Sequence, residues 1–268
     1  MSETKQLPRV SYFGPAHTNT HVAAKRRFGD AVRYEAELTK TAVFEAVESG
    51  RADLGIVPVE NSTEGIVRET IDCLITRSPM IQSEFDMEIR HCLLASASSQ
   101  KAPPQKILSH PQPLAQCRKW LDTNYPGVPR QSVASTATAA QTAATETGTY
   151  AIATQLAAEH FQLSILHSNI ADRGDNATRF LCLATNDHAP TGTDKTGIVF
   201  SAPHEQGALL RVLSIFNEAG INMLRIESRP LPGRLWEYAF VVDVEGHRLT
   251  APLSEVLKAL KDDGRLVK

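Results

Sequence analysis

The run Asp175-Asn176-Ala177-Thr178-Arg179-Phe180 carries an amide, a hydroxyl and a guanidinium side by side. A hydroxyl and an amide can hydrogen-bond the oxygens of a ligand, and a guanidinium can grip a carboxylate through two parallel bonds. Similar polar content recurs at Pro58-Val59-Glu60-Asn61-Ser62, at Ser109-His110-Pro111-Gln112 with Gln116-Cys117, and at Ser135-Thr136-Ala137-Thr138. Each of these follows an apolar run and precedes a helical pattern. Main-chain amides at such a turn can hold an anion, and the hydroxyls can equally cap the helix that follows. A set of hydroxyls and amides with one arginine suits a small ligand that bears carboxylates.

Such groups need rigid strand ends to hold them. The run Phe180 to Ala184 reads as a buried strand, so the polar residues before it sit where that strand begins, beside a turn at Gly174-Asp175. Upstream, strands are expected over 9–13, 53–59, 107–108, 131–134, 150–153 and 165–166, with an extended stretch over 81–95. Helices are expected from Thr18 or Thr20 to Gly29, then over 39–48, from Gly65 through Ile75, and over 114–121, 137–147 and 155–161. The alternation predicts two α/β lobes over residues 8–187, joined by crossings near 82–92 and 164–172, with a cleft between them. His188 to Lys195 has the composition of a linker. Strands over 197–201, 222–229 and 236–244, with helices over 207–219 and 252–261, predict a ferredoxin-like module spanning 194–268.

Composition excludes several function classes. The formal net charge of -2 supplies no field for nucleic acid or anionic membranes. No segment has the length of a membrane span, and the first residues lack the apolar core of a signal peptide. Cys73, Cys92, Cys117 and Cys182 are widely spaced and read as reduced thiols of a cytoplasmic protein. His17 and His21 would share a helix face, yet no third metal ligand accompanies them, and exposed histidines are expected. Ser109 and His110 are adjacent on an extended chain, so they point apart, and no nucleophile elbow is present. Glycine patterns for nucleotide phosphates are missing as well, so neither a metal nor a nucleotide is expected.

The motifs gain specificity from their order. Gly14-Pro15 with Thr18, Pro58 to Ser62 with Gly65, Ser109 to Gln112 with Gln116-Cys117, and Asn176 with Thr178-Arg179-Phe180 run through the first unit. Gly207-Ala208-Leu209, Glu227-Ser228-Arg229-Pro230 and Trp236-Glu237 follow in the second. Over nearly its whole length the chain resembles the prephenate dehydratase family with a C-terminal ACT regulatory domain. The resemblance implies an α/β fold: a two-lobed catalytic domain like a periplasmic binding protein, then a ferredoxin-like βαββαβ ACT domain. It implies decarboxylating dehydration of prephenate to phenylpyruvate, without a cofactor, and feedback by phenylalanine in a homodimer or homotetramer.

By the same resemblance Thr178 is the catalytic threonine, with Asn61, Ser109 and Gln116 as its polar companions. Arg179, Thr18, Ser62 and Phe180 are expected to bind substrate. Gly207, Ala208, Leu209, Asn222, Glu227, Ser228 and Arg229 are expected to hold the effector between paired ACT domains. One loop departs from the family: in Ala16-His17-Thr18-Asn19-Thr20, His17 stands for a glycine and Asn19 for an aromatic residue. A left-handed backbone would be strained there. The departure keeps arogenate dehydration and non-aromatising prephenate decarboxylation open as alternatives, and a binding-type cleft with an ACT module also fits an amino-acid sensor. The chain stops at Lys268, which is expected to shorten the last ACT strand.

Overall fold

Short apolar strands alternate with helices whose inner faces are small or branched residues, and this patterning builds two layered sheets and a third, smaller one. The computed structural model describes residues 7–101, 103–230 and 237–268. Strand β1 (Arg9–Phe13) leads to α1 (Asn19–Phe28), β2 (Arg33–Glu37) and α2 (Lys40–Glu48). Then come β3 (Leu54–Asn61), the two-residue β4 (Gly65–Ile66), α3 (Arg68–Thr76) and β5 (Met80–Glu88). Thr39 starts α2 by accepting a bond from the Ala42 N–H, and Val43, Phe44 and Val47 bury its inner face. Strand β2 was not anticipated, because its sequence Arg-Tyr-Glu-Ala-Glu is mostly charged; it lies at the sheet edge, parallel to β1.

The chain then crosses to a second sheet. It is formed by β6 (Cys92–Ala95), β7 (Lys106–Ser109), β8 (Arg130–Ser132), β9 (Thr149–Ala153) and β10 (Ser164–His167). Helices α4 (Pro111–Gln116), α5 (Arg118–Asn124), α6 (Thr136–Thr145) and α7 (Gln155–His160) connect them. The single helix expected over 114–121 is broken at Cys117. The Asp172 carboxylate accepts the Lys119 and Trp120 N–H groups, each at 2.9 Å, and so opens α5 as a separate helix. Alanines at 139, 140 and 143 let α6 pack closely on Leu108 and Ala151.

Strand β11 (Ala177–Ala184) returns to the first sheet, whose order is β2-β1-β3-β11-β5. The second sheet runs β10-β6-β9-β7-β8. Strand β1 runs parallel to β2 and β3, and β7 parallel to β8 and β9. The strands that have come across from the other lobe run antiparallel, β11 to β3 and β6 to β9 and β10; the two-residue β4 is also antiparallel to β3. The crossings themselves, residues 89–91 and 168–176, are pinned together by Ile89 N–H to Asn176 O at 2.8 Å and Ile170 N–H to His91 O at 3.1 Å.

The last part contains β12 (Lys195–Ala202), α8 (Ala208–Glu218), β13 (Met223–Pro230), β14 (Tyr238–Glu245) and α9 (Leu253–Asp262). Its sheet is β12-β14-β13, antiparallel throughout, with Phe200, Val212, Phe216, Val242 and Leu260 in the core beneath the helices. The closing strand is reduced to a bridge from Leu266 to Phe200. Trp236, expected in the strand before Val244, lies outside the described residues. Residues up to 70 with 82–185 form one compact unit, and 71–81 with 186–268 a second. Segment 71–81 is held in the second unit by a two-bond ion pair of Arg229 with Asp72, and by Lys268 Nζ on the Leu74 and Pro79 carbonyls.

Where α2 crosses β3 there is room for no side chain. A Cβ on Gly55 would stand 2.9 Å from both Val43 Cγ1 and Val47 Cγ2. Gly55→Ala is therefore expected to destabilise the fold by about 1–3 kcal/mol through overpacking, read as a lower urea midpoint. An unshifted midpoint would mean that α2 yields freely.

Candidate active site

Asn61 is the last residue of β3 and pairs in register with Thr178 on β11. Its Oδ1 accepts the main-chain N–H groups of Thr63 (3.1 Å) and Glu64 (3.2 Å), and the Thr63 hydroxyl at 2.6 Å. Main-chain donors cannot turn around, so the amide orientation is fixed and Nδ2 must face β11. There it donates to Thr178 Oγ1 (2.8 Å), Asn176 Oδ1 (2.9 Å) and Ala177 O (3.1 Å). The consequences propagate. Because Asn176 accepts through Oδ1, its Nδ2 donates to Gln116 Oε1 at 3.1 Å, and Gln116 Nε2 donates to Thr63 Oγ1 at 2.7 Å. Asn61, Asn176, Gln116 and Thr63 thus form a closed ring in which every bond runs the same way.

The ring joins parts far apart in the chain. Asn61 ends β3 and Thr63 lies in the turn after it, Asn176 comes from a crossing, and Gln116 from the C-terminal end of α4 in the other lobe. Asn61, Asn176 and Thr178 are buried, at 6%, 2% and 8% exposure. In a low-dielectric setting each unmade bond costs heavily, and a fully satisfied ring is correspondingly rigid. Counting donors shows what remains for a ligand. Asn61 Nδ2 has more acceptors than hydrogens. Thr178 accepts from Asn61, so its own proton is free, and among the described residues it has no acceptor. Gln116 retains one N–H. The assembly presents donors only, and they are neutral.

The other expected residues lie elsewhere. Ser109 is fully buried and donates to Ile152 O at 2.7 Å, a strut between β7 and β9 that does not join the ring. His110 accepts the Gln112 N–H and does not pair with Ser109. Phe180, expected to touch substrate, is a core residue at 1% exposure, stacked on Phe85. The guanidinium of Arg179 stands between Glu60 (3.4 Å) and Asp86 (3.3 Å), so its role here is an ion pair and not an open clamp. Ser62 Oγ binds Asp175 O (2.8 Å) and the Ala177 N–H (3.0 Å), fixing the approach to β11. Thr18 precedes α1, and its hydroxyl turns back to Pro15 O without capping the helix. Thr63 and His91, which completes the second lone pair of Gln116, were not expected at the site, and Asn176 was expected only as part of the motif before β11; nothing in their spacing reveals a ring closed across two lobes.

His17 adopts φ 68, the strained conformation expected at that position. It precedes α1, and neither it nor His21 is solvent-exposed as anticipated: both are half-buried. The His17 N–H donates to His21 Nδ1 at 3.0 Å, its ring stacks on His160 at 3.8 Å, and its carbonyl accepts from Thr154 at 2.8 Å. These contacts tie the two lobes at a second point and offset the backbone strain. In the second unit Gly207 is left-handed (φ 77) before α8, Ala208 is buried, and Leu209 is half-buried. Asn222 donates to Glu245, and Arg229 is engaged by Asp72; Glu227 and Ser228 lie on opposite faces of the edge strand β13.

One group among the described residues, Asp187, His188 and His247, could approach a metal ion. Its atoms are already bonded: Arg248 Nε holds Asp187 at 2.5 Å, and His247 Nδ1 accepts the Leu249 N–H. The four cysteines are buried and none forms a disulfide, and no helix among the described residues is long and apolar enough to cross a membrane.

Comparison with known proteins agrees with the motif order. The family model "Prephenate dehydratase" matches residues 10–188, and the model "ACT domain" matches 196–262. A bifunctional chorismate mutase/prephenate dehydratase from Aquifex aeolicus is 43% identical over 261 residues, covering 97% of this chain and 72% of that protein. The crystal structure of prephenate dehydratase in complex with L-Phe from Arthrobacter aurescens is similar at TM-score 0.87 and 30% identity, covering 95% of this chain and 86% of that one. A structure described as GqqA, a novel type of quorum quenching acylase, is similar at TM-score 0.84 and 29% identity, covering 95% and 93%.

Burial, reinforced by repulsion from His17 and Lys25, pushes the His21 pKa from 6.5 down to about 4. Between those values the unfolded chain binds the proton and the folded chain does not, so the contribution of His21 to folding stability is fully present above 6.5 and lost as pH falls toward about 4. The melting temperature should drop across that interval, and His21→Gln, which keeps an acceptor for the His17 N–H, should flatten the decline. An equally steep decline in the variant would assign it to other groups.

Proposed function

The chain belongs to the prephenate dehydratase family, and from that premise we propose that the ring around Asn61 and Thr178 carries the family's reaction here. In it prephenate loses its ring carboxylate as carbon dioxide and its ring hydroxyl as water, giving phenylpyruvate. The bond to the carboxylate breaks, its electron pair completes the aromatic ring, and the carbon–oxygen bond on the far side breaks. The departing oxygen takes up one proton, supplied in the end by solvent. Aromatisation drives the step, so the protein has little to do beyond orienting the dianion and stabilising negative charge on the leaving oxygen.

The observation that carries this reading is the donor count. Asn61 occupies one lone pair of the Thr178 oxygen as a donor, which leaves the Thr178 hydroxyl proton available to donate to a ligand. A fixed donor aimed at developing charge is worth far more in a buried site than in water. A threonine hydroxyl is a poor acid, so Thr178 assists by hydrogen bonding, and the spare Gln116 N–H is its partner in that role. The amides that begin α1 after Thr18, left uncapped by its hydroxyl, suit one of the substrate carboxylates. Ser62 and Ser109 serve by fixing the strand ends, Arg179 by its pairing with Glu60 and Asp86, and Phe180 by anchoring β11 in the core.

Acyl transfer, for which the similar acylase is named, is less well supported. Ser109 spends its hydroxyl on a carbonyl, and burial pushes the Cys92, Cys117 and Cys182 thiols up, away from the thiolate that a nucleophile needs. The expected outcome for Thr178→Ala is a fall in kcat of about 10²-fold or more, with KM little changed. Phenylpyruvate release by the purified variant measures it, and near-normal turnover would remove Thr178 from the chemistry.

The C-terminal unit extends the reading to regulation. Left-handed Gly207 brings bare backbone to the start of α8, a setting suited to an amino-acid carboxylate, and the relative from Arthrobacter aurescens is described in complex with L-Phe. We read this unit as an ACT domain that binds phenylalanine where two copies pair, in a cytoplasmic enzyme that is at least a dimer. Effector binding alters turnover only by favouring one state of the assembly. Titration calorimetry on the full-length protein should show phenylalanine binding, with inhibition over the same concentrations. Absence of heat at millimolar ligand would leave the unit a dimerisation module.

A further inference from the structure

We infer that His91 is a positioning residue for the dehydration, acting through Gln116 to hold the spare amide N–H of that residue in the site. The inference rests on the reading that Gln116 faces the reacting oxygen. His91 lies in the first crossing, between β5 and β6, at 2% exposure. Its carbonyl accepts the Ile170 N–H of the second crossing at 3.1 Å, so its backbone is fixed by both crossings. Its Nε2 stands 2.8 Å from Gln116 Oε1.

The direction of that bond follows from the ring. Starting from the Thr63 and Glu64 amides, which cannot turn, each amide in succession is oriented, and Gln116 is left with Oε1 facing both Asn176 and His91. His91 must therefore carry its proton on Nε2 and donate it. Burial holds its pKa below the ordinary range, against the opposing pull of the Gln116 bond, so the neutral ring is the form present at pH 7. Gln116 terminates α4 and is only half-buried. With Asn176 and Thr63 alone its amide plane has two fixing contacts. The His91 bond adds a third, which stops rotation of the amide and sets where the free N–H points. Loss of that bond leaves a buried carbonyl lone pair open and lets the amide tilt, and catalysis loses a preoriented donor.

The test is a cycle of variants assayed with prephenate. His91→Leu should lower kcat about tenfold, the size of one lost buried hydrogen bond, with KM close to wild type. His91→Gln, whose Nε2 can reach the same point, should restore most of the rate. In a Gln116→Leu background the further change His91→Leu should cost nothing more in kcat, because its route of action is already gone. Melting curves on every variant correct for folded fraction. Unchanged kcat in folded His91→Leu, no recovery with His91→Gln, or additive losses in the double variant would each overturn the inference. If Gln116→Leu itself turns over normally, the underlying reading of Gln116 fails, and this inference with it. A readout independent of activity is the imidazole Nε2–H signal of histidine-labelled protein. It should be protected and shifted in wild type and lost in Gln116→Leu, and a signal indifferent to Gln116 would refute the contact directly.

Discussion

A buried carboxamide cannot leave its oxygen or its hydrogens unpaired without a cost comparable to a large part of the net stability of a domain. At Asn61 that requirement is met by main-chain donors on one side and by β11 on the other, and this fixes the polarity of everything attached. The register of β11 against β3 brings Thr178 opposite Asn61; one residue of slippage would present Arg179 or Ala177 instead. The large core under that register, with Ile56, Phe180 and Cys182, therefore holds Thr178 opposite Asn61 by making slippage costly.

The ring is also the point at which the two lobes become one site. Three of its members belong to the first sheet or its return crossing, whereas Gln116 comes from a helix of the second sheet. The crossings run side by side through hydrogen bonds at Ile89 and Ile170, so a relative movement of the lobes acts on Asn176 and His91 at once. The contact of His17 with Thr154 and His160 sits at another part of the same interface. Here a residue in a left-handed conformation is held by three separate contacts, which is how such strain persists in a native structure. Both sets of contacts remove freedom from the groups they hold.

Much was legible in the residues alone. Apolar runs bounded by Gly, Pro and Asx turns located most strands and helices, because burial of one face imposes a period that sequence records directly. The linker composition at 188–195 and the βαββα order of the last part were legible for the same reason. Strand β2 was not, since an edge strand with charged residues lacks the apolar period, and neither was the break at Cys117, which depends on the Asp172 carboxylate from a distant segment. The grouping of 71–81 with the C-terminal unit likewise follows from Arg229 and Lys268, far along the chain.

At the site, sequence determined which chemistry was available: hydroxyls, amides and one arginine near strand ends, with Thr178, Asn61 and Gln116 among them. Tertiary structure decided which of these are spent and which are free. Arg179 looks like a clamp until Glu60 and Asp86 are seen beside it, and Ser109 looks like a ligand-facing hydroxyl until its proton is found on Ile152 O. Phe180 belongs to the core by position in its strand. Thr63, Asn176 and His91 gain their roles only from bonds closed over more than one segment of the chain. Composition and period report what each residue prefers to do locally; the pairing of donors with acceptors is settled by folding, because the partner of a buried polar group is whichever complementary group the packed chain delivers to it.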